Sequence, residues 1–214
     1  MSFQPPRPER LEIAGPVGVL EALLEQPEGA GAPPAFGVIC HPHPLFGGTM
    51  TNKVVHMLAR SCHALGVPTL RFNFRGVGGS AGQYDEGRGE TDDALAVVAH
   101  GRGLWPGASL WLAGFSFGAY VALRAAPRAA AARLVTVAPP VGRWDFASVD
   151  PPVCPWLVVQ GDRDELVDAA VVQAWAARQP TPPQFALLSG AEHFFHGRLH
   201  ELRDAVGRFL TDPA

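Results

Sequence analysis

From residue 35 to residue 210 the chain alternates short apolar runs with segments of helical spacing. That alternation restricts it to a mostly parallel sheet with helices on both faces, because parallel neighbours need long, usually helical, crossovers. Ala35–Cys40 is an unbroken apolar run, as a strand buried on both faces requires. Val54, Val55, Leu58, Cys62 and Leu65 then recur at helical spacing, with Thr49 or Thr51 expected at the N-cap. Residues 68–74 read as the next strand, and residues 90–100 as a helix whose acidic first turn suits the helix dipole. Further strands are expected at 110–115, 133–137, 155–160 and 184–188, with helices at 117–126, 167–177 and 199–210. Upstream, residues 10–13 and 17–24 read as a hairpin across Gly15 and Pro16.

With 214 residues, 47% hydrophobic and 17% charged, the chain is long and apolar enough to bury one sizeable core. The expected organisation is a loose Pro-rich arm over 1–9 followed by a single domain over 10–214. Glu28-Gly29-Ala30-Gly31-Ala32-Pro33-Pro34 reads as a turn, too short for a domain linker. A net charge of −3 without any Lys/Arg run gives no footprint for nucleic acid. The N-terminus lacks an apolar secretory core and no apolar run reaches spanning length, so no membrane span and a cytoplasmic location are expected. Cys40, Cys62 and Cys154 are widely spaced among apolar neighbours and read as buried free thiols, not a disulfide framework or zinc knuckle.

The chemistry sits where ligands bind in such sheets, beyond the carboxyl ends of the strands. Gly114-Phe115-Ser116-Phe117-Gly118 follows the apolar strand Leu110-Trp111-Leu112-Ala113 and precedes a helix with Ala119, Ala122 and Ala125. In a Gly-x-Ser-x-Gly turn the glycines let strand and helix approach closely, and the turn lifts the serine hydroxyl off the sheet. A serine needs a base within hydrogen-bond reach, and the base needs a third group to fix its tautomer. Asp164 follows the strand at 155–160 and is preferred over Asp162, which is needed to leave the strand. His193 lies in the last loop before the terminal helix, with His196 as its rival.

Acyl transfer also needs two backbone N–H donors aimed at the developing oxyanion. Phe117, next to the nucleophile, is expected to supply one. The other should come from Cys40-His41-Pro42-His43-Pro44-Leu45-Phe46-Gly47-Gly48, in which neither proline can donate. That leaves His43 or Leu45, with His43 favoured. Phe46, Trp144, Phe146, Phe194 and Phe195 are candidates for an apolar acyl pocket.

Taken together, these segments resemble the α/β-hydrolase superfamily, and within it a small bacterial branch of hydrolases with an HPHP motif. The resemblance rests on His41-Pro42-His43-Pro44 with Gly47-Gly48, on Arg71-Phe72-Asn73-Phe74-Arg75-Gly76-Val77-Gly78-Gly79-Ser80, and on the Ser116, Asp164 and His193 segments. It implies an α/β-hydrolase fold, an eight-stranded mostly parallel sheet with the second strand antiparallel. It also implies esterase-like activity on small acyl substrates. It carries over Ser116, Asp164 and His193 as a triad, with His43 and Phe117 at the oxyanion positions. Many superfamily members insert a cap after the sixth strand. Here only Ala138 to Cys154 intervene, so an uncapped site is expected.

Three other readings compete with this one. Gly76-Val77-Gly78-Gly79-Ser80-Ala81 formally fits a dinucleotide fingerprint, but the polar turn that follows has no helical period. A metallohydrolase would draw on His41, His43, His193, His196 and His200, whose spacing lacks a His-Glu-x-x-His signature. A catalytically silent binding protein on the same fold is the remaining alternative. The preferred reading is a serine carboxylesterase-like hydrolase that needs no cofactor or metal. Its partner is a small acyl substrate, and a homodimer is left open. Asn73 and Arg75 are expected to be structural.

Overall fold

In the computed structural model, which describes residues 7–27 and 32–212, eight strands form one sheet in the order β1-β2-β4-β3-β5-β6-β7-β8. The hairpin β1 (Glu9–Gly15) and β2 (Gly18–Glu25) joins antiparallel to β4 (Thr69–Phe72). β3 (Ala35–Cys40), β5 (Ser109–Phe115), β6 (Arg133–Val137), β7 (Trp156–Gly161) and β8 (Gln184–Leu188) continue it in parallel. Only β2 runs against the rest. Among the described residues the α-helices are α1 (Lys53–His63), α2 (Arg88–Leu104), α3 (Phe117–Arg128), α4 (Ala169–Ala177) and α5 (Leu199–Thr211).

The period of two along each strand divides the core into two layers. Phe36, Val38, Leu110 and Leu112 pack with Val97 of α2, Val121 of α3 and Val172 of α4 on one face. Ile39, Ala113 and Phe115 pack with Val55 and Leu58 of α1 and Leu202 and Val206 of α5 on the other. Full burial of each such side chain contributes about 2 kcal/mol relative to exposure. An unbroken apolar strand is therefore stable only between two helical layers.

Several boundaries differ from expectation, each for a local reason. Asn52, rather than Thr49 or Thr51, caps α1, its Oδ1 accepting from the Val54 and Val55 N–H groups. The two threonines bond to each other instead. β4 ends at Phe72 because the Phe74 N–H turns to the His41 imidazole. α2 begins earlier, at Arg88, because the Glu90 carboxylate reaches back to the Asp85 and Gly87 N–H groups. α4 starts at Ala169 behind its cap Asp168, since the Val167 N–H is spent on Asp164.

β1 already includes Glu9, the last residue of the expected arm; residues 1–6 of that arm, and residues 28–31 of the expected turn, lie outside the described residues. Cys40 and Cys62 are buried free thiols, whereas Cys154, also free, is only half-buried. Among the described residues no helix is long and apolar enough to cross a membrane.

Buried polar links hold the loops at the carboxyl edge. Arg75 grips Asp93 of α2 through two side-chain hydrogen bonds of 3.0 and 2.8 Å. Asn73 accepts from Met50 N–H and donates to Glu21. Both side chains are thus engaged by the protein itself. Gly76 to Ala81 form turns and open no helix; α2 starts only at Arg88.

Candidate active site

β5 ends at Phe115 and α3 begins at Phe117, which leaves Ser116 alone in the turn with φ 54° and ψ −120°. A positive φ in a residue with a Cβ costs on the order of 1–3 kcal/mol, so the surroundings must enforce it. The Ser116 N–H donates to Val137 O at 2.8 Å, and its carbonyl accepts from Ala119 N–H at 2.8 Å. Two glycines make room. A Cβ at Gly118 would run into the Cys40 carbonyl, and one at Gly114 into the Gly118 carbonyl.

The acid and base arrive from β7 and from the loop after β8. Asp164 Oδ1 accepts from the Leu166 and Val167 N–H groups at 2.9 and 2.8 Å. Its Oδ2 lies 2.8 Å from His193 Nδ1, and His193 Nε2 lies 3.2 Å from Ser116 Oγ. An ionised carboxylate only accepts, so Nδ1 carries the proton and Nε2 is left to accept from the serine. The side chains of His193 and Asp164 are buried. Burial pushes the Asp164 carboxyl up, but the His193 contact and the two N–H donors outweigh it and hold the group below the ordinary carboxylate value. The structure thus brings Ser116, His193 and Asp164 into one hydrogen-bonded row. Asp162 instead accepts from Gly190 N–H, and His196 lies exposed beside Glu192.

Two contributors were missed by the sequence reading. Gln160 donates from Nε2 to Asp164 Oδ2 at 2.9 Å, and Glu165 accepts from the His193 N–H at 3.2 Å. Gln160 had a readable signal, as the one polar residue among the apolar Trp156-Leu157-Val158-Val159. Glu165 had none.

The loop after β3 spends nearly all its N–H groups on itself. Leu45 N–H donates to His43 Nδ1, Phe46 and Gly48 to His43 O, and Gly47 to Pro44 O. Pro42 and Pro44 have no N–H. The His43 N–H is left without an acceptor among the described residues, as is the Phe117 N–H at the start of α3. Beneath the loop, His41 donates from Nδ1 to Pro42 O and accepts at Nε2 from Phe74 N–H. Burial drives its pKa down to about 3, so it is a neutral pin joining two loops.

A cavity of about 410 Å³ opens beside Ser116 and His193. Phe46, Trp144 and Phe194 line it, as expected. Phe146 and Phe195 do not: Phe146 packs on Tyr120 and Trp175, and Phe195 lies in the core layer of α1 and α5. Pro140, Arg143, Leu166 and Val167 also line it and were not foreseen, because they sit on irregular segments without a repeating pattern. Between β6 and β7 there are only turns and one isolated bridge, Val141 with Trp144, and Phe46 at the rim is 83% exposed. Among the described residues no helix covers the site. The five histidines weighed for a metal do not gather: His41 and His193 are engaged as above, and His196 and His200 sit exposed beside Glu192 and Glu201. Among the described residues no cluster of metal-ligating side chains forms.

Comparison with known proteins gives consistent matches. The profile of an alpha/beta hydrolase domain matches residues 45–205. A crystal structure from Xanthomonas campestris, described as an a/b serine hydrolase without lid, is 44% identical with a TM-score of 0.90 and covers 98% of this chain and 96% of its own. An alpha-beta serine hydrolase homologue from Coxiella burnetii is 49% identical with a TM-score of 0.91, covering 95% and 97%. An uncharacterised protein from Rickettsia prowazekii is 34% identical over 206 residues, 92% of this chain and 86% of that protein.

Proposed function

The chain belongs to the alpha/beta hydrolase domain family, and from that premise we propose that it is a serine hydrolase cleaving small carboxylic esters or thioesters through an acyl-enzyme. The observation that carries this reading is the row Ser116 Oγ, His193 Nε2, His193 Nδ1, Asp164 Oδ2, with contacts of 3.2 and 2.8 Å. Ser116 attacks the carbonyl carbon while His193 takes the hydroxyl proton. The unspent N–H groups of His43 and Phe117 hold the oxyanion. His193 then gives its proton to the leaving alcohol or thiol. Water, deprotonated by the same imidazole, releases the acid and restores the serine. Asp164 steadies the imidazolium throughout. The scheme uses residues 10–214 as one catalytic unit and calls on no cofactor. An aromatic, uncovered cavity of about 410 Å³ favours short acyl groups over long ones.

A fluorophosphonate probe together with nitrophenyl esters of rising chain length tests the reading. The expected result is covalent labelling that disappears in Ser116→Ala, with turnover of the short esters lost by about 10⁴-fold or more. Undiminished labelling of Ser116→Ala would reject it. So would ester turnover that a chelator abolishes while the probe leaves the wild type unmodified.

A further inference from the structure

The cavity beside Ser116 contains a cation that the acyl-transfer scheme leaves idle. Arg143, on the irregular segment between β6 and β7, lines it. Its Nη2 donates to Leu166 O at 2.9 Å, which ties the guanidinium to the turn that also carries Asp164. Among the described residues Arg143, like several other arginines, forms no ion pair, so no carboxylate of the chain neutralises it. Among the described residues no Asp or Glu lines the cavity. The His43 ring on the wall is neutral: burial lowers its pKa and its Nδ1 accepts from Leu45 N–H. The remaining walls are mainly apolar, among them Phe46, Trp144, Leu166 and Phe194. A solvent-exposed positive charge, tethered by one hydrogen bond, therefore stands beside an apolar acyl site in a chain whose net charge is −3.

We propose that Arg143 is a specificity residue that selects small esters bearing a carboxylate, such as half-esters of short dicarboxylic acids. The proposal rests on the serine-hydrolase reading and names its substrate class. With one N–H used on Leu166, the guanidinium keeps donors for a carboxylate, and its planar fork suits that group better than an ammonium does. The preference holds wherever the substrate acid is ionised.

Two matched pairs test it, each anion against its own methyl ester. For the acyl side the pair is nitrophenyl hydrogen glutarate and nitrophenyl methyl glutarate. For the leaving-group side it is 4-acetoxybenzoate and methyl 4-acetoxybenzoate. In one pair the wild type is expected to favour the anion about tenfold in kcat/KM, expressed in KM and weakened by salt. That pair assigns the side on which the carboxylate sits. Arg143→Gln brings the ratio close to one, and Arg143→Lys keeps part of it. Ser116-dependent turnover of the methyl esters with no preference for either anion overturns the assignment of Arg143 alone. A wild-type preference that survives Arg143→Gln overturns it as well. If neither the anions nor the methyl esters are cleaved, the hydrolase reading itself falls.

Discussion

Gln160 has its side chain sealed inside β7 with no solvent exposure, and its Oε1 finds no partner among the described residues. An unmet buried acceptor costs about 1–3 kcal/mol, which an apolar residue would avoid. What the amide supplies is a donor to Asp164 Oδ2, the same oxygen that meets His193. In the proposed scheme Gln160 is therefore a positioning residue, acting through Asp164. In Gln160→Leu we expect kcat on a short nitrophenyl ester to fall about tenfold with KM little changed, while thermal unfolding shows no loss of stability. A rise in KM at constant kcat would instead mark a change in the cavity. Ser116 was legible because its turn has a sequence requirement. Gln160 left only the mark of a lone polar residue in an apolar strand, and Arg143 left none, because the significance of both depends on contacts with the turn after β7 that carries Asp164 and Leu166.

Among elements, α3 and the strand before it depend on absent side chains. The start of α3 crosses the end of β3 so closely that Gly118 tolerates no Cβ beside the Cys40 carbonyl. Gly118→Ala should cost on the order of 1–3 kcal/mol through overpacking, read as a lowered Tm. Ester turnover should fall further than stability alone accounts for, since the displaced backbone leads into the His43 loop. Gly207 in α5 provides the contrast: nothing lies within 4 Å of its Cβ position, and Gly207→Ala should stabilise by roughly 0.5–1 kcal/mol. A Gly118→Ala protein as stable and active as the wild type would contradict this account. Strand and helix identities were legible because two-sided burial writes long apolar runs into the chain. Helix starts were less so. Asn52, Glu90 and Asp164 each compete for backbone N–H groups with the caps that periodicity alone suggests.

For the molecule as a whole, two interior imidazoles tie folding to pH. Burial lowers His41 to about 3 and His63 to about 4, against an ordinary value of 6.5. Below pH 6.5 the unfolded chain therefore binds protons that the native state refuses. Stability is complete above that point and declines as pH falls towards 4 and then 3. Denaturant unfolding from neutral to about pH 4 should show this decline. It should be shallower in His63→Gln, which retains a partner for Thr69 but cannot take up a proton. An identical slope in the variant would remove His63 from the explanation.

The alternation of strands and helices was legible in the residues, and the reversed β2 only through the family resemblance, whereas these polar pairings belong to contacts that no periodicity announces. Among the described residues, the segment between β6 and β7 lines the cavity beside Ser116 but lays no helix over it. In the proposed scheme an acylated serine would face the bulk liquid directly. Any small alcohol, amine or peroxide dissolved there would compete with water for the acyl group, so concentration and intrinsic reactivity, rather than a gate, would choose the recipient.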